Sequence, residues 1–251
     1  MAGHNKWSKV KRAKGALDVK RGKIFSKLAR EIIMAAKAGG ADPSCNSRLR
    51  TAIQAAKDQN MPNDNIDRAI KRGTGELEGG SIEEILYEGF APGGVGLLIE
   101  LATDNRNRSA ADLRTIFTRN DGNLGSAGSV SHLFKRCGQI TVPKSAADED
   151  RMLEIALEAG ADELSTDDEH HFVLTPPERL DAVSESIRSA GLTIENQRFA
   201  YIPQTVIPVD EEATAAQVLR LIEVLDDYDD TQHVFANFDI PDEILARLSE
   251  Q

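Results

Sequence analysis

Only two cysteines, Cys45 and Cys137, occur in 251 residues. That is too few for a disulfide framework or a four-thiolate zinc site, so both are expected to be reduced thiols. No apolar run approaches the roughly 18 to 20 residues that a membrane-spanning helix requires. The amino terminus, MAGHNKWSKVKRAKG, is basic but has no apolar stretch behind it, which argues against a secretory signal. Aromatic residues make up 5% of the chain, with one tryptophan, and the aromatic strand pairs of RNA-recognition sheets are missing. Zinc-finger spacing and a leucine zipper are missing too. The hydrophobic fraction of 40% nonetheless suffices for a folded core. A cytoplasmic, monomeric protein with no membrane partner is expected.

The chain carries a net charge of -11, but the charge is unevenly spread. Residues 1–75 hold 17 Lys and Arg against 6 Asp and Glu, a surplus of +11, while the remainder holds 13 against 35, or -22. Such a split predicts two kinds of surface on one chain, of which the basic one would seek a polyanion. A solvated basic tail without a partner is the plainer alternative.

From Lys23 to Ala38, Phe25, Leu28 and Ile32 recur at helical spacing, with Lys23, Lys27, Arg30 and Lys37 on the opposite side. Gly39 and Gly40 supply a stop. A second helix is expected over about 46–58, and a third after Pro62, closed by Gly73. Three short amphipathic helices would pack as one small bundle. Its charges, free of the apolar stripe, would then be available to the phosphates of DNA or RNA. The residues expected to touch nucleic acid are Lys6, Trp7, Lys9, Lys11, Arg12, Lys14, Lys20, Arg21, Lys23, Lys27 and Arg30. Trp7, with His4, offers stacking on an exposed base; a lone tryptophan near a terminus is as readily a packing anchor.

Beyond Ser81, strand and helix signals alternate. GVGLLIELAT reads as a buried strand ending in the polar turn TDNRNR, and Ser109 with Asp112 resembles a capping box for the helix that follows. DGNLGSAGSV reads as a flexible connection. Over about 136–204, two helices among short strands predict a ferredoxin-like unit. TVIPV, a helix and QHVFANF then form a second half that completes the unit begun near Gly94. The expected class is therefore α+β: a small N-terminal helical bundle (1–78), then two ferredoxin-like units, the inner one (136–204) inserted in the outer one (79–135 plus 205–251).

Catalytic patterns are not evident. YEGFAPGGVG lacks the Gly-Lys-Ser/Thr ending that holds nucleotide phosphates, there is no G-x-S-x-G elbow, and the adjacent His170 and His171 would point to opposite faces of a strand. The acidic run Asp226, Asp227, Tyr228, Asp229, Asp230 reads as a solvated loop rather than a metal site. No enzyme, cofactor or metal is expected. TDNRNR admits two readings: Arg106 and Arg108 touch nucleic acid, or the polar residues organise the turn.

In order along the chain, AGHNKWSKVKRAKGALDVKRGKIFSKLAREI, NMPNDNIDRAIKRG, YEGFAPGGVG, TDNRNRSAADLR, GNLGSAGSVSHLF and DDYDDTQHVFANF resemble the YebC/PmpR family. Phe90-Ala91 departs from the family's usual Tyr-Gly but leaves the glycine turn intact. The resemblance implies a three-domain cytoplasmic protein that binds DNA as a probable transcriptional regulator, with no catalytic residues. It also implies a second possibility, since mitochondrial relatives are translational activators of cytochrome oxidase and bacterial members have been linked to the ribosome. A DNA-binding transcriptional regulator is the leading expectation, and a translation factor that binds ribosomal or messenger RNA through the same surface is the other. An enzyme is the third.

Overall fold

The computed structural model of the chain describes residues 21–78 and 80–249. The helical part opens with α1 (Arg21–Gly39), α2 (Ser47–Asp58) and α3 (Asn63–Gly73). Next come β1 (Glu83–Phe90), β2 (Gly96–Thr103), α4 (Arg106–Arg119) and β3 (Asn123–Leu124). A βαββαβ run follows: β4 (Phe134–Pro143), α5 (Glu149–Glu158), β5 (Glu163–Thr166), β6 (His170–Thr175), α6 (Leu180–Ser189) and β7 (Asn196–Pro203). The chain ends with β8 (Ile207–Pro208), α7 (Glu212–Asp226), β9 (Thr231–Ala236), β10 (Phe238–Asp239) and α8 (Asp242–Ser249). The class is α+β, a helical N-terminal part followed by sheet-containing domains.

The chain divides into two compact units, one of residues 1–34, 78–135 and 202–251, the other of 35–77 and 136–201. In the first, an antiparallel sheet in the order β3-β1-β2-β9 carries α4 and α7. Leu97, Ile99 and Leu101 on β2 meet Leu113 and Phe117 of α4 and Val218, Leu221 and Ile222 of α7 in a core closed to solvent. β1 and β2 form a hairpin through Pro92–Gly94, where Gly93 (φ 75°) and Gly94 (φ 78°) occupy the left-handed region that side chains avoid. Gly89 lies under α4: a Cβ there would come within 2.5 Å of the Phe117 ring. Glycine is what lets the helix close on the sheet.

The stretch DGNLGSAGSV, expected to be a flexible connection, is instead pinned. The Glu88 side chain on β1 is buried (6% exposed) and accepts from the backbone N–H groups of Gly128 (2.7 Å), Val130 (2.6 Å) and Ser131 (2.8 Å). Burial alone would raise the Glu88 pKa, but these donors outweigh it and hold the group below the ordinary carboxylate range. A lowered folded-state pKa contributes stability above the unfolded value and loses it as pH falls through the folded one. Glu88→Gln is therefore expected to lower stability at neutral pH and to flatten its decline in acid, as read from urea unfolding between neutral pH and about pH 3. An acid limb as steep as that of the parent chain would show that Glu88 is not held ionised.

The second unit is the ferredoxin-like one: its strands run in the order β5-β6-β4-β7, with α5 and α6 in the connections. Ile140, Val142, Met152, Val183 and Ile187 fill its core. The outer sheet of the first unit uses similar elements in another strand order, because the β1–β2 hairpin occupies its middle.

The helices α2 and α3 were expected to bury their faces within a bundle of their own. Of the two, α2 is also tied to the ferredoxin-like strands and helices of its unit. Ser47 donates to Asp181 (2.6 Å), Gln197 donates to Ser47 (3.4 Å), and Arg188 donates to Thr51 (3.4 Å) and Gln197 (2.6 Å). Asn46 caps α2 by accepting from Leu49 N–H, and its amide donates to the carbonyls of Ala35 and Gly40. Helices of 12 and 11 residues expose too much apolar stripe to stand alone. Cys45 is exposed and Cys137 buried, and both are free thiols.

Candidate nucleic-acid interface

The basic surplus is more concentrated than the expected bundle. Residues 1–34 hold 10 Lys and Arg against 2 acids, whereas 35–75 hold 7 against 4. Of the residues expected to meet nucleic acid, Lys6, Trp7, Lys9, Lys11, Arg12, Lys14 and Lys20 lie outside the described residues, as does the side chain of Arg21. Lys23, Lys27, Arg30, Arg106 and Arg108 are described, and all belong to the first unit.

On α1, Lys23, Lys27 and Arg30 follow one another at i, i+4 and i+7, which aligns them along one face. That face is occupied. α7 ends at Asp226, where a helix leaves its last carbonyls without intrahelical donors. Lys27 Nζ donates to the Asp226 carbonyl (2.7 Å) and to its carboxylate (3.2 Å), and Lys23 Nζ donates to the Asp227 carbonyl (3.0 Å). Arg30 donates to the Asp229 carbonyl and to Asp230 Oδ1 (3.0 Å). Cations at the negative end of a helix gain from its dipole as well as from the carboxylates. The stripe opposite them also differs from the expectation: Ile32 is fully buried, whereas Phe25 and Leu28 are only partly so.

Asp230 is the centre of the arrangement and corrects the reading of its segment as a solvated loop. It is 2% exposed. Its Oδ2 accepts from Arg108 (2.8 Å), Ser109 (2.9 Å) and Thr103 (2.9 Å), while Oδ1 faces Arg30. Burial opposes ionisation here, but the hydrogen bonds from Arg108, Ser109 and Thr103 and the charge of Arg30 outweigh it, so the pKa is lowered. Tyr228 donates to Asp112 (2.8 Å); burial first, then the neighbouring carboxylates, push its phenol up to about 12. Among the described residues no group of three His, Cys, Asp or Glu side chains is placed to hold a metal ion. The two histidines of β6 have separate partners: His171 lies between Thr166 (2.9 Å) and the Ala147 carbonyl (2.9 Å), and His170 faces Glu195 (2.7 Å).

TDNRNR resolves into two kinds of arginine. α4 begins at Arg106, capped by Asn105, which accepts from Arg108 N–H (3.1 Å); the capping box expected at Ser109 is not used. Ser109 is instead buried against Asp230. The Arg108 guanidinium is committed to Asp230 and Asp104 (3.2 Å), and the hydrogen bond and charge of Asp230, then Tyr228, raise its pKa further. The Arg106 side chain is exposed, as are Arg114 and Arg119 further along the same helix. We expect Arg106→Ala to leave stability within about 0.5 kcal/mol of the parent, as surface truncations usually do. Arg108→Ala, which removes a partner of a buried carboxylate, should lower the melting temperature measurably in the same calorimetric comparison. Equal melting temperatures would refute the division.

Two family models match the chain: the TACO1/YebC protein N-terminal domain over residues 5–76 and the TACO1/YebC second and third domain over residues 82–238. A protein of Desulfotalea psychrophila named a probable transcriptional regulatory protein is 50% identical over 250 residues, covering 100% of both chains. One of Aquifex aeolicus with the same name is 47% identical over 248 residues, covering 99% of this chain and 100% of its own. The crystal structure of a conserved hypothetical protein from Aquifex aeolicus, 48% identical, superposes with a TM-score of 0.83 over 89% of this chain and 92% of that one. No helix among the described residues is long and apolar enough to cross a membrane. Matched along nearly its whole length, the chain belongs to the TACO1/YebC family.

Proposed function

We propose that the chain is a nucleic-acid-binding regulator of gene expression, acting as a DNA-binding regulator of transcription through the basic segment 1–34 together with Arg106. The observation that carries this reading is the charge: a surplus of +8 in 34 residues on a chain whose net charge is -11. Lys and Arg held at that density gain affinity for phosphate by releasing condensed counterions, without needing a particular base sequence. The names of the relatives from Desulfotalea psychrophila and Aquifex aeolicus agree with a role in regulation. The reading assigns the chain no catalytic step and no cofactor.

One observation favours a second reading, a translation factor bound to ribosomal or messenger RNA. Lys23, Lys27 and Arg30 of α1 are engaged with residues 226–230, so the face they line is not free for reading a major groove. A basic segment suits structured RNA, where shape and phosphate positions are recognised. Crosslinking in living cells followed by sequencing of the attached nucleic acid separates the two. Recovery of discrete genomic DNA sites supports the transcriptional reading; enrichment of ribosomal or messenger RNA supports the other; recovery of neither sinks both.

A further inference from the structure

The contact between α1 and the segment 226–230 sets cations that could meet phosphate against carboxylates and carbonyls of the same unit. We propose that Asp226–Asp230 is an internal competitor for the nucleic-acid-binding face of α1, so that Lys23, Lys27 and Arg30 reach phosphate only after leaving it. The inference rests on the nucleic-acid reading above and adds a regulated step to it. Asp226, Asp227, Asp229 and Asp230 place four carboxylates in five residues, and the segment meets the three cations with carboxylate and carbonyl oxygens, as a run of phosphates would.

Three features make this contact reversible rather than a fixed part of the core. The side chains of Lys27 and Arg30 remain 25% and 22% exposed, and Lys23 is exposed, so all three cations have a side open to an approaching phosphate. The exposed Lys23 contact and the partly exposed Lys27 pair are individually weak, and a polyanion offering several phosphates at once can displace them. Finally, Asp230 keeps Arg108, Ser109 and Thr103 when Arg30 departs. Release of the Arg30 side chain therefore does not strand a buried charge, the penalty that otherwise locks such pairs.

The test compares the full chain with the triple variant Asp226→Asn, Asp227→Asn, Asp229→Asn, which spares Asp230, in titrations of a DNA duplex and an RNA of the same sequence. A second triple variant, Glu149→Gln, Glu154→Gln, Glu158→Gln on α5, changes the net charge equally and serves as control. The first variant is expected to bind several-fold more tightly than both, with a steeper dependence of log K on log salt, because additional cations then neutralise phosphates. If it melts early, Asp226→Asn alone, which removes the carboxylate paired with Lys27, is expected to change affinity in the same direction relative to the single charge control Glu154→Gln. Binding by the parent chain with no gain and no steeper slope in the variant overturns the competitor while leaving the nucleic-acid reading intact. Binding by neither chain removes that reading and this inference together.

Discussion

Asp230→Ala is expected to destabilise the protein by about 3–5 kcal/mol, the cost of removing one side of a buried ion pair. The carboxylate is almost fully buried and answers Arg30, Arg108, Ser109 and Thr103 at once. Without it, the Arg108 guanidinium loses its shortest ion pair and is left with the longer contact to Asp104, and the Thr103 hydroxyl on β2 loses its acceptor. For a chain of this length such a loss corresponds to a fall in melting temperature of about 10 °C. Asp227→Asn, whose side chain is exposed, should stay within about 0.5 kcal/mol of the parent chain. Acid should act on Asp230 as it does on Glu88. Its lowered pKa stabilises the fold at neutral pH, and that contribution is lost as pH falls through the lowered value. Scanning calorimetry of the two variants decides the point. A melting temperature for Asp230→Ala within a degree or two of the parent would mean that the cluster is not what fastens α4 to the turn after α7.

The contrast between Asp230 and its neighbours shows where reading the chain stops. A run of acids between a helix and a strand carries no mark of which member turns inward. The choice is made by Arg108 and Thr103, which lie 122 and 127 residues away. The same distance problem hid the partners of Lys23, Lys27 and Arg30. Their helical phase was legible from the apolar spacing, but whether the charged side faces water or another element depends on tertiary packing. Helices bounded by local chemistry were easier: Gly39-Gly40, Asn46 and Pro62 each mark an end or a beginning that the structure repeats within a residue or two. β1 escaped notice because EEILYEGF does not alternate, its burial changing gradually from exposed to buried along the strand. α8, only eight residues long, presents too few turns for a period to show. The pinned loop at 128–131 was illegible for another reason. Its donors are backbone N–H groups, which every sequence has.

Neutralising the basic sequence of residues 6–20, an arm by its position in the sequence alone, is the second large effect. Changing Lys6, Lys9, Lys11, Arg12, Lys14 and Lys20 to Gln removes six of the ten cations in residues 1–34. If most of these neutralise a phosphate each, the slope of log K against log salt should fall in magnitude by about 5, and affinity near 0.1 M salt by about a thousandfold. Changing Lys23, Lys27 and Arg30 to Gln should do something different. Those side chains hold the end of α7 and Asp230, so their loss should cost stability and also reduce affinity, by a smaller factor than loss of the arm. A sequence-independent loss across DNA and RNA probes is expected for the arm, because phosphate contacts position a protein without reading bases. Filter-binding titrations over a series of salt concentrations, paired with thermal melts, separate the two sets. If the arm variant bound as tightly as the parent chain while the α1 variant lost all affinity with an unchanged melt, the interface would lie on α1. The contacts of α1 with residues 226–230 would then not hold it in solution.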